Sequence, residues 1–249
     1  MSVPDRKFPS VSVVTVSRNA SKTIEKTIRS VASQKFASLE YVVFDGLSTD
    51  GTVDILRKHA SDIDHLTVES DTGVYNAFNK AVAVSRGEWL LFLGADDVLL
   101  PEASTLFEQL EDAADCDLVF TDVMYDDNRR FRSRFDASLM LSNRLHHQGA
   151  LYRRRCFDDF RYDESLRICA DYELNLKLYL EGKRAKKGGF PISSCEWGGL
   201  THSNRTRAKE EVNRVRKKLL PTLNGPLKAM ATVLWFAKDF REKLKSRPA

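Results

Sequence analysis

Trp89-Leu90-Leu91-Phe92-Leu93-Gly94-Ala95-Asp96-Asp97 runs from an unbroken apolar strand straight into two adjacent carboxylates. A strand apolar on both faces belongs to a sheet covered on both sides, and the carboxyl end of such a strand is where an open α/β sheet binds its ligand. Two carboxylates placed there cost desolvation and repel one another, so a cation is expected to offset them. A divalent metal carrying a diphosphate meets that need, because hard cations take oxygen ligands and bridge to phosphate. The competing reading makes Asp96 or Asp97 the N-cap of a helix beginning near Pro101.

The pattern repeats upstream. Residues 11–16 form a β-branched strand, and Asn19, Ala20 and Ser21 offer caps for a helix reaching about residue 34. Residues 41–44 form a second buried strand that ends at Asp45 and Gly46. The turn cluster Ser48-Thr49-Asp50-Gly51-Thr52 opens a helix to about residue 59. Residues 66–68 form a third strand, helical spacing returns over 74–85, and 88–93 form the fourth strand. Strand and helix alternate through about residue 110, which predicts a mostly parallel sheet flanked by helices. Beyond it, 118–121 is a further strand, 129–135 an exposed antiparallel one and 172–181 a helix.

The unusual polar residues fall at the carboxyl ends of these strands. Thr15, Ser17 and Asn19 follow the first, Asp45 the second, Asp71 the third, and Asp96 with Asp97 the fourth. One edge of one sheet gathers them, so they are expected in one crevice.

The chain has 249 residues, 42% hydrophobic and 30% charged, enough for one or two domains with a sizeable core. Its four cysteines, Cys116, Cys156, Cys169 and Cys195, show no metal-binding spacing and read as thiols in a reducing compartment. No apolar stretch approaches ~18 residues, and the first ten lack the apolar segment of a signal peptide, so the cytoplasm is the expected location. Net charge is +4 and unevenly placed: 13 Lys and Arg face 4 Asp and Glu in residues 205–249, against 26 and 31 in residues 1–204. An acidic body argues against nucleic acid as a partner.

With these motifs in place, the chain resembles the inverting GT-A glycosyltransferases of glycosyltransferase family 2. The similarity lies in Thr15-Val-Ser-Arg-Asn19, Phe44-Asp45-Gly46 with Ser48 to Thr52, Asp71-Thr-Gly73 with Asn79-Lys80, Gly87 to Asp97, His146-His147-Gln148-Gly149 and Ala170-Asp171-Tyr172-Glu173. Their order and spacing over roughly residues 10–200 are specific, and they look most like the branch that builds bacterial surface polysaccharide or glycolipid. The resemblance implies a GT-A, Rossmann-like fold, a nucleotide-sugar donor (usually a UDP-sugar), a divalent cation such as Mg²⁺ or Mn²⁺, and a saccharide or lipid-linked acceptor. It assigns the metal to Asp97, the ribose or the metal's waters to Asp96, and the nucleotide edge to Asp71. Asp45 fits there as an acceptor for the imide N–H of uracil, and Thr15, Ser17 and Asn19 would border the nucleoside. Lys80 either brings positive charge near phosphate or is a solvated helix lysine. By the same resemblance His147 and Gln148 line the donor phosphate and acceptor side, and Asp171 is the base that deprotonates the acceptor hydroxyl. An alcohol needs such a group to become a good nucleophile. Asp171 as a plain helix N-cap is the alternative.

The implied organisation is a catalytic domain over 1–204, divided near 110 into nucleotide and acceptor halves, and a basic amphipathic tail over 205–249. Leu227, Met230, Val233, Leu234, Ala237, Phe240 and Leu244 recur at helical spacing among lysines and arginines. Such a helix suits the inner surface of a membrane, or packs on the catalytic domain or a second subunit. The glycine-marked loop around 197–203 is expected to close over donor or acceptor, or simply to connect to the tail. Two other functions compete. A dinucleotide-dependent oxidoreductase would need a G-x-G-x-x-G turn after the first strand, and Ser17-Arg-Asn-Ala-Ser21 has none. A non-catalytic nucleotide-sugar-binding or membrane-associated module would keep the donor motifs without a base.

Overall fold

Val11 and Val13 face one side of the central sheet and Val14 the other, and Leu90 and Phe92 alternate in the same way with Trp89, Leu91 and Leu93. That period of two divides the apolar residues between two cores, one on each face. The computed structural model describes residues 10–197 and 204–220. In chain order its elements are β1 (Val11–Ser17), α1 (Ile24–Ala32), β2 (Leu39–Asp45), α2 (Thr52–Lys58), β3 (His65–Val68) and α3 (Val74–Val84). Then come β4 (Trp89–Gly94), β5 (Val98–Leu99), α4 (Glu102–Glu108), β6 (Leu118–Phe120), β7 (Val123–Tyr125) and β8 (Arg130–Phe131). The rest are β9 (Ala150–Arg153), α5 (Ala170–Leu180), β10 (Ala185–Lys187), β11 (Ser193–Cys195) and α6 (Arg205–Leu219).

The main sheet has seven strands in the order β10-β6-β9-β4-β1-β2-β3, all parallel except β9, which runs antiparallel between β4 and β6. The α1, α2 and α4 helices cover one face, where Ile24, Ile28 and Val31 of α1 recur at helical spacing and are buried. The α3, α5 and α6 helices cover the other. A small second sheet, β5-β11-β7-β8, stands beside the carboxyl end. The chain leaves β1 for β2 and β3 on one side and returns to β4 on the other. The sheet therefore has its switch point between β1 and β4, and a crevice opens there at the carboxyl ends.

The predicted α/β order holds through α4. The exposed strand expected over 129–135 is confined to Arg130–Phe131, paired with β7. The basic segment after 204 begins as α6, whose Ala208 and Val215 are buried, with Val212 and Leu219 packed beside them against the same core as α5. The apolar stripe expected over 227–244 and the loop 198–203 lie outside the described residues. Among the described residues no helix is long and apolar enough to cross a membrane.

At the amino end of the sheet the starts of β1, β2 and β4 are stapled together. Glu40, 2% exposed, accepts from the Ser12 hydroxyl at 2.5 Å and from Arg86 N and Nε, each at 2.7 Å. Burial pushes this carboxyl up, but Ser12 and Arg86 outweigh it and hold it below the usual range. Arg153 pairs with Glu88 and lies over the Trp89 ring, while Arg155 pairs with Asp117 at 2.8 Å.

Candidate active site

The crevice at the switch point is a cavity of about 1420 Å³. The turn after β1, the turn after β4, the first turns of α3 and α5, β7 and β8 of the small sheet, and α6 all border it. Asn19, Asp96, Asp97, His147, Gln148 and Asp171 all line it, so the structure brings these predicted residues together.

The β4 turn is tight. Asp97 donates its backbone N–H to the Gly94 carbonyl at 3.2 Å, its Oδ2 accepts from Gly94 N at 2.8 Å, and its own carbonyl accepts from the Thr27 hydroxyl at 2.7 Å. Gln148 and the Cys195 thiol also hydrogen-bond its carboxylate. A Cβ at Gly94 would fall 2.6 Å from Asp97 Oδ2 and 2.7 Å from Asp96 Oδ1, so one oxygen of each carboxylate brackets the same point. Burial, then the charge on Asp96, raise the Asp97 pKa to about 6. Neither aspartate is ion-paired among the described residues. Two close hard-oxygen donors with unbalanced charge fit a Mg²⁺- or Mn²⁺-like cation. Among the described residues no three His, Cys, Asp or Glu side chains converge, so such a cation would take its other ligands from substrate or water.

Asp171 lies in the first turn of α5, half-buried. Its Oδ2 accepts from Asn143 Nδ2 at 2.8 Å and its Oδ1 from the Tyr75 hydroxyl at 3.3 Å. Burial raises its pKa to about 6, opposed by the backbone N–H of Tyr172 and by the Asn143 and Tyr75 donors. The carboxylate therefore lines the cavity and is easier to protonate than a free aspartate.

Histidine supplies no positive charge here. His147 stacks on Phe92 (4.5 Å, 15°), its Nε2 meets the Tyr162 hydroxyl at 3.0 Å, and burial lowers its pKa to about 3. Burial lowers His146 to about 4, between the edges of Tyr125 and Phe131. Both rings are neutral walls at neutral pH.

Other predicted residues stand behind the cavity. Thr15 is fully buried, its hydroxyl accepting from Tyr41 at 3.3 Å. Ser17 donates to Asp45 Oδ2 at 2.7 Å, and Asp45, also fully buried, takes the Ser48 N–H and hydroxyl, each at 2.7 Å. Asp45 has no exposed surface, so a uracil imide could reach it only if these side chains moved. Asp71 accepts from Gly73 N at 2.8 Å and lies against Gly46, where any side chain would collide with it. Lys80 is held away from the cavity by Glu69 at 2.8 Å and the Ser70 carbonyl at 2.7 Å. Among the described residues, the cations that do line the cavity are Arg18, Lys22, Arg167, Arg205 and Lys209.

Sequence reasoning missed Asn143, Tyr75, Arg167 and the contribution of α6. Glu211 of α6 accepts the backbone N–H groups of Arg167, Ile168 and Cys169 at 2.9, 2.8 and 3.0 Å, fixing the approach to Asp171. The one signal available for it was a glutamate on the apolar stripe of a basic helix.

A sequence-family model described as glycosyl transferase family 2 matches residues 12–163. A PGL/p-HBAD biosynthesis glycosyltransferase of Mycobacterium bovis is 36% identical over 218 residues, covering 83% of this chain and 84% of its own. Among solved structures, S. aureus TarS 1-349 in complex with UDP-GlcNAc superposes with a TM-score of 0.71 at 20% identity, over 88% of this chain and 69% of that one. The mannosyltransferase PcManGT of Pyrobaculum calidifontis, in complex with GDP-Man and Mn²⁺, does so with a TM-score of 0.62 at 19% identity, over 94% and 81%. The two structural likenesses speak for the fold, and the extent of the sequence matches settles the lineage: the chain belongs to glycosyltransferase family 2.

Proposed function

We propose that this chain is an inverting, cation-assisted glycosyltransferase that moves a sugar from a UDP-sugar to a hydroxyl of a saccharide or lipid-linked acceptor in surface polysaccharide or glycolipid assembly. The observation that carries the reading is the pairing of Asp97 and Asp171 in one cavity, both with raised pKa and neither with a cationic partner among the described residues. The UDP-GlcNAc complex of TarS and the name of the mycobacterial relative support the donor and acceptor classes.

In this mechanism the nucleoside lies along the β1 and β2 turns, and the diphosphate lies between the Asp96–Asp97 turn and the cations of the rim. Asp97 would hold a divalent cation, which when bound would neutralise the leaving diphosphate as a Lewis acid. Arg18 and Arg167, which also line the cavity, add positive charge for the diphosphate. Asp171 accepts the proton of the acceptor hydroxyl, whose oxygen bonds to the anomeric carbon as the bond to the diphosphate breaks. Attack opposite the leaving group inverts that carbon. The neutral rings of Phe92 and His147 exclude water from the wall and so limit hydrolysis of the donor.

The basic α6 borders the cavity through Arg205 and Lys209, which supports an acceptor presented at an anionic membrane on the cytoplasmic side. The test is Asp171→Asn with a UDP-sugar panel, Mn²⁺ and candidate acceptors. Donor affinity is expected to stay within about twofold while transfer falls by roughly 10²–10⁴, with an inverted anomer in the wild-type product. Normal turnover in the variant overturns the assignment. Donor binding without transfer by the wild type, for every acceptor, favours the non-catalytic module.

A further inference from the structure

Behind Asp171 runs a directed chain of hydrogen bonds. The Tyr152 hydroxyl donates to Asn175 Oδ1 at 2.7 Å, Asn175 Nδ2 donates to Asn143 Oδ1 at 3.2 Å, and Asn143 Nδ2 donates to Asp171 Oδ2 at 2.8 Å. Two backbone groups set its direction. The Leu145 N–H donates to Asn143 Oδ1 at 3.3 Å, and the Leu145 carbonyl accepts from Asn175 Nδ2 at 3.5 Å. A backbone N–H only donates and a carbonyl only accepts, so each amide has one permitted orientation. The Asn143 amino group must then face the carboxylate. Tyr152 and Asn175 are fully buried, where a reversed amide would leave polar groups unpaired.

We propose that Asn143 is the positioning residue of Asp171, aimed by Asn175, Tyr152 and the Leu145 backbone so that the carboxylate keeps its free lone pairs for the acceptor hydroxyl. This rests on the reading of Asp171 as the base. With Tyr75 on Oδ1 and Asn143 on Oδ2, the carboxylate cannot rotate without losing both donors. Asn143 also favours the ionised form and so works against burial.

The other titratable groups facing Asp171 are Tyr75 from α3, Tyr152 from β9, Tyr162 from the segment before α5, and Cys169 just ahead of it. Burial raises all four, so they stay neutral through the working range. Arg167, Arg205 and Lys209 are cations lining the same cavity, Glu211 lies behind the backbone of 167–169, and Asp50, Asp96, Asp97 and Glu196 are the other acids that line it. A shift confined to Asn143 variants therefore reports on Asp171.

The experiment is the pH profile of kcat/KM for transfer from a UDP-sugar, with saturating Mn²⁺, in the wild type, Asn143→Ala and Tyr152→Phe, each checked by thermal melting. Asn143→Ala is expected to move the acid limb up by about one unit, a roughly tenfold loss below it, with donor KM within about twofold. Tyr152→Phe moves it in the same direction by less, because Leu145 still holds both amides. An unmoved limb, or a loss equal at every pH, in folded Asn143→Ala overturns the proposal. If Asn143→Ala does not fold, Tyr152→Phe decides by the same criterion. Transfer by Asp171→Asn would remove the base itself; an inactive Asp171→Asn with unmoved Asn143 and Tyr152 limbs would remove only the positioning role.

Discussion

Buried acids at the two ends of the same sheet live in opposite electrostatic settings. At the amino end Glu40 is met by Ser12 and Arg86, and its pKa is lowered despite burial. At the carboxyl end Asp97 and Asp171 are raised to about 6, because burial is not answered by a cation. The amino end uses its acids to hold strands together, and the carboxyl end holds acids whose charge awaits a partner from outside. This is the pattern expected where stability is given up for a binding or catalytic task.

The largest effect that can break the contrast is on rate. A base works only when ionised, so transfer at saturating Mn²⁺ is expected to fall about tenfold per pH unit below about 6, roughly a hundredfold two units down. A kcat/KM profile flat to pH 5 would place Asp171 with the structural acids.

The next effect is on stability at the other end. Glu40→Gln removes the charge opposite Arg86 and turns one of the two acceptor oxygens into a donor, and is expected to cost about 1–3 kcal/mol in urea unfolding at pH 7, with activity per folded molecule unchanged. Because the folded-state pKa is lowered, Glu40 contributes fully above its ordinary value of 4.5 and loses that contribution as pH falls through the folded value. The gap between wild type and variant should therefore narrow on acidification.

The smallest effect has the opposite sign. A carboxyl raised from 3.8 to about 6 makes the folded protein take up protons, so ionised Asp171 destabilises it at high pH. Asp171→Asn is expected to stabilise the ligand-free protein by about 1–2 kcal/mol at pH 8, and the gain should vanish near pH 4. Destabilisation at pH 8 would show that the carboxylate is structurally required.

The first half of the fold was legible because β1, β2 and β4 are long enough to show unbroken apolar runs and α1 and α3 long enough to show helical spacing. Strand β9 was not, although it sits inside the sheet: Ala150–Arg153 is too short to carry a period. Of the small sheet only β8 was anticipated; β5, β7 and β11, with two or three residues each, escaped for the same reason. Within the site, Asp96 and Asp97 could be placed because they follow β4, and Asp171 because it opens α5 in a stretch that resembles the family's pattern. Lys80 was ambiguous from sequence, since its partners Glu69 and Ser70 reach it only through the turn between β3 and α3. Asn143 carries no local signal at all; its role depends on α5 and β9 meeting behind it.

In the proposed reaction Asp97 and Asp171 act from separate parts of one cavity, the first holding the donor and the second activating the acceptor. Calorimetric titration of a UDP-sugar with Mn²⁺ into Asp97→Asn and Asp171→Asn tests it most directly. Asp171→Asn is expected to keep wild-type affinity within about twofold, and Asp97→Asn to lose about tenfold or more. Equal donor affinity in both variants would contradict it.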